Sequence, residues 1–93
     1  MDFEWDDAKA ASNESKHGVS FDDATTVFRN PLAIIFDDKD HSDEEAREII
    51  LGHSFKGTLL VISFAEREDK IRIISTRKVT KNERKEYESH AFQ

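Results

Sequence analysis

The spacing of hydrophobic positions predicts a helical N-terminal part, a strand-rich middle and a helical C-terminal part. Asp6 is placed to cap a helix that runs to about His17, and Gly18 follows where a left-handed residue would end it. Ser20 is placed to cap a second helix, in which apolar residues recur every three or four positions until Pro31 ends the pattern. Two helices are therefore predicted before the first strand.

The middle of the chain carries short apolar runs that are typical of β-strands. We predict strands over 32–36, 47–55, 58–64 and 70–76, with an acidic loop over 37–45 and turns at 56–57 and 66–69. Because the last three strands follow one another through short turns, the economical arrangement is a four-stranded antiparallel sheet. Thr80 and Glu83 form a capping box that opens a last helix, which runs to about His90.

These elements predict an α+β fold: two N-terminal helices, a four-stranded antiparallel sheet and a C-terminal helix. With 93 residues, three glycines and one proline, the chain shows no linker, and we expect one domain over residues 1–93. Trp5 is expected to pack the first helix against the sheet, and Phe92, next to the last residue, is a candidate contact for a partner.

The net charge of −6 conceals two unlike halves. Residues 1–45 hold 4 basic and 13 acidic residues, whereas residues 46–93 hold 10 basic and 7 acidic residues. Because affinity for phosphate backbones comes largely from Lys and Arg, the C-terminal half is the one suited to nucleic acid. The alternative is that both halves are ordinary solvated surface.

The composition also restricts the location and the cofactors. The chain has no cysteine, which excludes disulfides and thiolate metal sites, and its acidic start lacks the pattern of a signal peptide. No apolar run reaches membrane-spanning length, so we expect a cytoplasmic protein without a membrane partner. His41, His53 and His90 lack metal-ligand spacing, and the acidic loop lacks the glycine and distal glutamate of a calcium loop. We expect no metal and no other cofactor.

A series of cationic residues runs from the last predicted hairpin into the last helix: Arg67, Lys70, Arg72, Arg77, Lys78, Lys81, Arg84 and Lys85. Arg72 alternates with Ile71 and Ile73, so we expect it to face away from them and to lie beside the cap of the last helix. Guanidinium groups can stabilise the charge that builds on a phosphate when an RNA 2′-hydroxyl attacks it, without a metal ion. The alternative is a solvated strand edge and helix.

Lys16 and His17 end the first predicted helix, which places a titratable imidazole at the helix terminus. A general acid or base could act from there. The alternative is that His17 only caps the last carbonyl groups of its own helix.

Residues along nearly the whole chain form one pattern: Phe3 to Asp6, Lys9, Ala10, Asn13, Lys16 to Phe21, Ala24, Val27, Phe28, Asn30, Pro31, Arg72 to Arg77, Glu83 and Arg84. The most specific segments are KHGVSF and IRIIS, the second of which is followed closely by Arg77. This pattern resembles the BrnT family of toxins. The resemblance implies a RelE-like fold and an endoribonuclease activity that blocks translation.

The resemblance also implies a partner. In such pairs a BrnA-type antitoxin with a ribbon-helix-helix DNA-binding domain neutralises the toxin, and the complex represses its own operon. Because ribbon-helix-helix domains dimerise, a 2:2 complex is expected. Operator DNA would then be bound only through the antitoxin, and RNA would be the substrate.

Carried onto this sequence, the family pattern points to His17, Lys16, Arg72 and Arg77 as catalytic candidates. Arg72 and Arg77 would stabilise charge on the phosphate. Proton transfer would fall to His17, Lys16 or Glu66, because RelE-like enzymes often spread acid–base work over several residue types.

RNA binding is expected from Arg67, which would hold a flanking phosphate, and from Lys78, Lys81 and Arg84. The residues alone do not compel catalysis, since the same basic surface could dock an acidic partner or RNA without breaking a bond. A non-catalytic binding module, and an inactive toxin that only binds its antitoxin or RNA, are therefore the alternative functions.

Overall fold

The computed structural model describes residues 1–41 and 45–91, so the partner contact predicted for Phe92 lies outside the described residues. The elements in chain order are β1 (Asp2–Glu4), α1 (Asp7–His17), α2 (Phe21–Val27), β2 (Ile34–Asp37), β3 (Glu48–His53), β4 (Leu59–Arg67), β5 (Lys70–Lys78) and α3 (Lys81–Ala91). A 3-10 turn over Lys39–His41 follows β2. The predicted α+β class and the three predicted helices are confirmed.

The five strands of the described chain form one mixed sheet with the order β1-β5-β4-β3-β2. β2 to β5 are antiparallel neighbours, as predicted, but β1 pairs in parallel with β5. The predicted four-stranded antiparallel sheet is therefore wrong in its number of strands and in one pairing. β1 is only three residues long, with Phe3 between two acidic residues, so its alternation is too short to predict a strand. It is placed by distant partners, since Asp2 lies opposite Lys70 and Glu4 opposite Arg72.

The local capping signals are confirmed. The Asp6 carboxylate accepts a hydrogen bond from the Lys9 backbone N–H (3.0 Å), and the Ser20 hydroxyl accepts one from the Asp23 N–H (3.0 Å). Gly18 ends α1 with a φ of 71°, a left-handed conformation in which glycine has no steric cost. These short-range contacts fix where α1 and α2 begin.

The main core lies between one face of the sheet and the helices α1 and α2. It is built from Val19, Phe21, Ala24, Val27, Ile50, Leu60, Ile62, Phe64, Ile71 and Ile73. Trp5 packs edge-to-face against Phe21, with ring centroids 5.8 Å apart. In β3, a Cβ on Gly52 would lie 2.9 Å from the Ala33 Cβ and 3.0 Å from a Val27 methyl, so glycine lets the α2 region approach the sheet.

The second face of the sheet is only partly covered. Buried Tyr87 of α3 packs there with Leu51 and Leu59, and its ring meets His53 at 5.6 Å. We call this side the open face; it carries Ile49, Val61, Ser63, Ser75 and Arg77. Because α3 covers only part of the open face, polar and charged residues on the rest of it can meet a ligand.

Candidate functional site

A β-bulge sets which arginines reach the open face. Ser63 lies opposite Ser75 while Phe64 lies opposite Ile73, so Ile74 is an extra residue in β5. Arg72 and Arg77 are five positions apart, and regular alternation would put them on opposite faces. The bulge reverses the alternation, so both side chains point to the open face.

Arg77 lies in a cleft of about 550 Å³ on the open face. Its floor is formed by apolar side chains from β3 and β4, including Ile49 and Val61. Arg47, which precedes β3, lines the same cleft, as do the α3 carboxylates of Glu83 and Glu86. We call this depression the arginine cleft. The lining also includes Asp38 and Asp40, so the walls carry more carboxylates than arginines. The apolar floor suits flat apolar groups, and Arg47 and Arg77 are the arginines of the lining that can hold negative charge.

Glu83 holds Arg77 in a fixed orientation. The Arg77 guanidinium donates to both carboxylate oxygens of Glu83, at 2.8 and 2.9 Å, and to the Lys78 carbonyl at 3.2 Å. The same carboxylate accepts from the Thr80 N–H at 2.8 Å, which completes the predicted capping box. The Arg77 hydrogen bonds are the main reason that the pKa of Glu83 falls to about 2.

The other two β-strand arginines of the open face also meet carboxylates. Arg67 donates to both oxygens of Glu45, at 2.8 and 2.9 Å, and this hydrogen bonding lowers the pKa of Glu45. Arg72 lies 4.0 Å from Glu4 of β1. The prediction that Arg72 lies beside the cap of the last helix is therefore wrong. Arg77 takes that place, because β5 continues to Lys78 and the bulge turns Arg77 outward.

Lys16 and His17 lie at a second, smaller depression of about 240 Å³ along the edge of β5. Buried Asn13 fixes α1 there, since its side-chain amide donates to the Thr76 carbonyl (2.9 Å) and accepts from the Thr76 N–H (3.2 Å). Ile74 and Ser75 line both this depression and the arginine cleft. The structure therefore places Lys16 and His17 on one side of the bulge and Arg77 on the other.

The remaining predicted site residues are more scattered. Exposed Lys81 and Arg84 lie in the first turn of α3, close to the Arg77 pair, whereas Lys78 lines a separate depression with Gly18. Glu66 lies opposite Ile71, which points into the core, so it faces away from Arg72 and Arg77. Glu66 lies near Glu48 instead. Burial raises the pKa of Glu48, and the like charge of Glu66 raises it further.

Sequence reasoning missed Arg47 as a member of the cleft and the carboxylates of Glu4, Glu45 and Glu83 as arginine partners. The capping box located Glu83, but nothing in the spacing showed that Arg77 lies across the cap from it.

Among residues 1–41 and 45–91, no group of three or more His, Cys, Asp or Glu side chains is arranged to hold a metal ion. In the same part of the chain, no helix is long and apolar enough to cross a membrane.

Fold and site together define a small α+β protein with an arginine-bearing, partly open sheet face. A family model described as "Ribonuclease toxin, BrnT, of type II toxin-antitoxin system" matches residues 5–83. The chain therefore belongs to the BrnT family, as the sequence resemblance indicated.

A solved structure agrees with this family membership. The crystal structure of the Brucella abortus ribonuclease toxin, BrnT, matches with a TM-score of 0.66 and 21% sequence identity, over 87% of this chain and 99% of that chain. At this identity the likeness shows the fold. The search of curated proteins gives no significant match.

Proposed function

We propose that this chain is a metal-independent endoribonuclease toxin whose catalytic surface is the edge of β5. The observation that carries the proposal is the β-bulge at Ile74, where the arginine cleft and the depression of Lys16 and His17 share the wall formed by Ile74 and Ser75. An RNA backbone that crosses this wall would meet Arg77 on one side and a titratable side chain on the other. Family membership supports RNA as the substrate.

RNA cleavage would proceed by attack of the RNA's own 2′-hydroxyl, which requires from the protein only a base, an acid and a group that stabilises charge on the phosphate. The 2′-hydroxyl oxygen attacks the adjacent phosphorus, its proton passes to a base, and the 5′ oxygen of the next nucleotide leaves with a proton from an acid. The product is a 2′,3′-cyclic phosphate, so no water or metal ion enters the bond-breaking step. Arg77 would hold the equatorial oxygens, for which a fixed guanidinium is worth about 3 kcal/mol.

Proton transfer is assigned to His17 or Lys16, which lie across the bulge from Arg77. Glu66 is the weaker candidate, because it points to the helix-covered side of the sheet. Arg72 and Arg67, farther along the open face, would hold flanking phosphates, while Lys81, Arg84 and Lys78 would add attraction for the backbone.

Family membership supports further parts of the proposal. The partner would be a BrnA-type antitoxin with a ribbon-helix-helix domain, in a 2:2 complex that brings operator DNA to the toxin only through the antitoxin. The toxin would act in the cytoplasm and inhibit translation by cutting RNA. The fold would be RelE-like.

One observation favours a second function, the non-catalytic binding module. Arg67, Arg72 and Arg77 already have carboxylate partners at 2.8, 4.0 and 2.8 Å, so the arginines are compensated without a ligand. A surface of this kind could exchange its carboxylates for those of an acidic partner and break no bond.

Induced expression in bacteria separates the two functions. A ribonuclease toxin should arrest growth, and co-expression of the antitoxin should restore it, whereas a binding module should do neither. Replacing Arg77 with Ala should abolish the arrest, because about 100-fold of the rate is expected to depend on this guanidinium. A folded Arg77→Ala variant that remains fully toxic would refute the role of Arg77.

A further inference from the structure

The free edge of β2 has an unusual distribution of apolar side chains. Ile35 lies opposite core residue Ile50 and points to the helix-covered side, yet it is 55% exposed. Phe36 lies opposite Ile49 and points to the open face, and it is 46% exposed. An antiparallel edge strand with one solvated face normally alternates apolar and polar residues.

Apolar residues on both faces are typical of a strand that lies inside a sheet rather than at its edge. β2 is nevertheless the last strand in the order, so every second residue of Ile34–Asp37 presents its N–H and C=O to the outside. Leu32, just before β2, is 45% exposed as well. The edge therefore has the side chains and the backbone groups of an interior strand, but no neighbouring strand among residues 1–41 and 45–91.

A groove of about 510 Å³ lies along this edge. It is lined by Ile34, Ile35, Phe36, Leu51, Glu86 and His90. Glu86 is the lining residue with a fixed charge, and Asp37 ends β2 beside the groove. We call this surface the β2 edge groove. Its apolar walls and negative rim complement a segment that carries apolar side chains and positive charge.

We propose that the β2 edge groove binds an extended, positively charged segment of the antitoxin, which adds a sixth strand beside β2. This inference rests on the proposed function, since it takes the chain to be the toxin of a two-component system. Strand addition would satisfy the outward backbone groups of β2, and the segment would cover Ile35 on one side and Phe36 on the other.

Charge favours the antitoxin over a second copy of this chain as the occupant. Two copies joined at β2 would bring together two acidic edges, because the end of β2 and the turn after it carry Asp37, Asp38 and Asp40 around Lys39. Glu86 lines the same groove, so its carboxylate would also approach its counterpart. A basic segment meets attraction at the same positions.

The position of the groove also bears on neutralisation. The β2 edge groove and the arginine cleft share Phe36, Leu51 and Glu86, so a segment bound at the edge lies beside the cleft. A segment that continues across Phe36 would cover the cleft floor. Antitoxin and RNA are therefore expected to compete.

The test uses the full chain in an Arg77→Ala background, which is expected to be non-toxic without its partner, and the purified product of the adjoining reading frame as probe. Ile35→Lys places a positive charge in the groove, and Phe36→Ser removes its aromatic wall. Each should raise the dissociation constant by about tenfold or more. Phe55→Ser is the matched control, because Phe55 is a 74% exposed aromatic in the turn between β3 and β4, and it should change affinity by less than about twofold.

Hydrogen exchange on the unsubstituted surface provides a second readout that needs no groove variant. The outward amides of β2 should become protected in the complex. Groove variants that bind like Phe55→Ser, or β2 amides that exchange as fast with partner as without, would overturn the proposal. A chain that dimerises alone and becomes monomeric on Ile35→Lys would also overturn it, because a second copy would then occupy the edge.

Binding at the β2 edge groove and RNA cleavage are measured independently, so either one can fail without the other. A complex that depends on Ile35 and Phe36, formed by a chain that cleaves no RNA, would support the groove and refute the ribonuclease. RNA cleavage by a chain that forms no complex with the probe would do the reverse.

Discussion

Glu83→Gln tests how strongly the Arg77 pair stabilises the protein. The glutamine can still accept a hydrogen bond from the Thr80 N–H, so the capping box survives while the charge opposite Arg77 is lost. Lowering the Glu83 pKa from 4.5 to about 2 corresponds to about 3 kcal/mol, at about 1.4 kcal/mol for each tenfold change in the proton equilibrium. Because the Arg77 and Glu83 side chains are 41% and 29% exposed, we expect solvent screening to reduce this to about 1–2 kcal/mol.

The direction of the Glu83 pKa shift determines how the stabilisation by the Arg77–Glu83 pair changes with pH. The folded protein lowers the Glu83 pKa, so the pair stabilises the fold fully above the unfolded value of 4.5 and loses this effect as the pH falls towards 2. Urea unfolding should therefore show native protein more stable than Glu83→Gln by about 1–2 kcal/mol at pH 7, with the difference shrinking below pH 4.5. Glu88→Gln, at an exposed position on the same helix, is the control. Equal stability of the native and Glu83→Gln proteins at pH 7, or a difference that persists at low pH, would show that the Arg77–Glu83 pair does not stabilise the fold in this way.

Three substitutions test the packing that positions the site, each by urea unfolding. Asn13→Ala removes the amide that satisfies both backbone groups of Thr76, so it should cost about 2–3 kcal/mol, against almost nothing for the exposed Ser12→Ala. The Thr76 hydroxyl is buried without a hydrogen-bond partner in the described chain, so Thr76→Val should leave stability unchanged or raise it by up to about 1 kcal/mol. Gly52→Ala should cost about 1–3 kcal/mol, because its methyl would lie 2.9 Å from the Ala33 Cβ. An Asn13→Ala protein as stable as Ser12→Ala, a clear loss on Thr76→Val, or an unaffected Gly52→Ala would each contradict the packing described.

The features that the sequence predicted well are those that depend on near neighbours. Asp6 and Ser20 cap α1 and α2 through residues three positions away, and Thr80 does the same for α3. The hairpins of β3 to β5 are joined by short turns, so their antiparallel pairing followed from chain order.

The features that it missed depend on distant residues. β1 is a strand because β5 lies beside it almost seventy positions later, and no pattern within Asp2–Glu4 signals this pairing. Alternation correctly turned Arg72 away from the core, but it could not supply the bulge at Ile74 that also brings Arg77 to the open face. The cationic series and the end of the first predicted helix supplied most of the candidate residues, and the family resemblance then gave them roles. Their carboxylate partners emerged only from the folded chain.

The most direct test of metal-independent cleavage at the β5 edge is incubation of RNA with the purified, antitoxin-free protein in excess chelator, with the ends of the fragments identified. The native protein should form fragments that end in 2′,3′-cyclic phosphate or its hydrolysis product, and Arg77→Ala should form them about 100-fold more slowly. A folded native protein that binds RNA and leaves it intact under these conditions would refute the proposed ribonuclease.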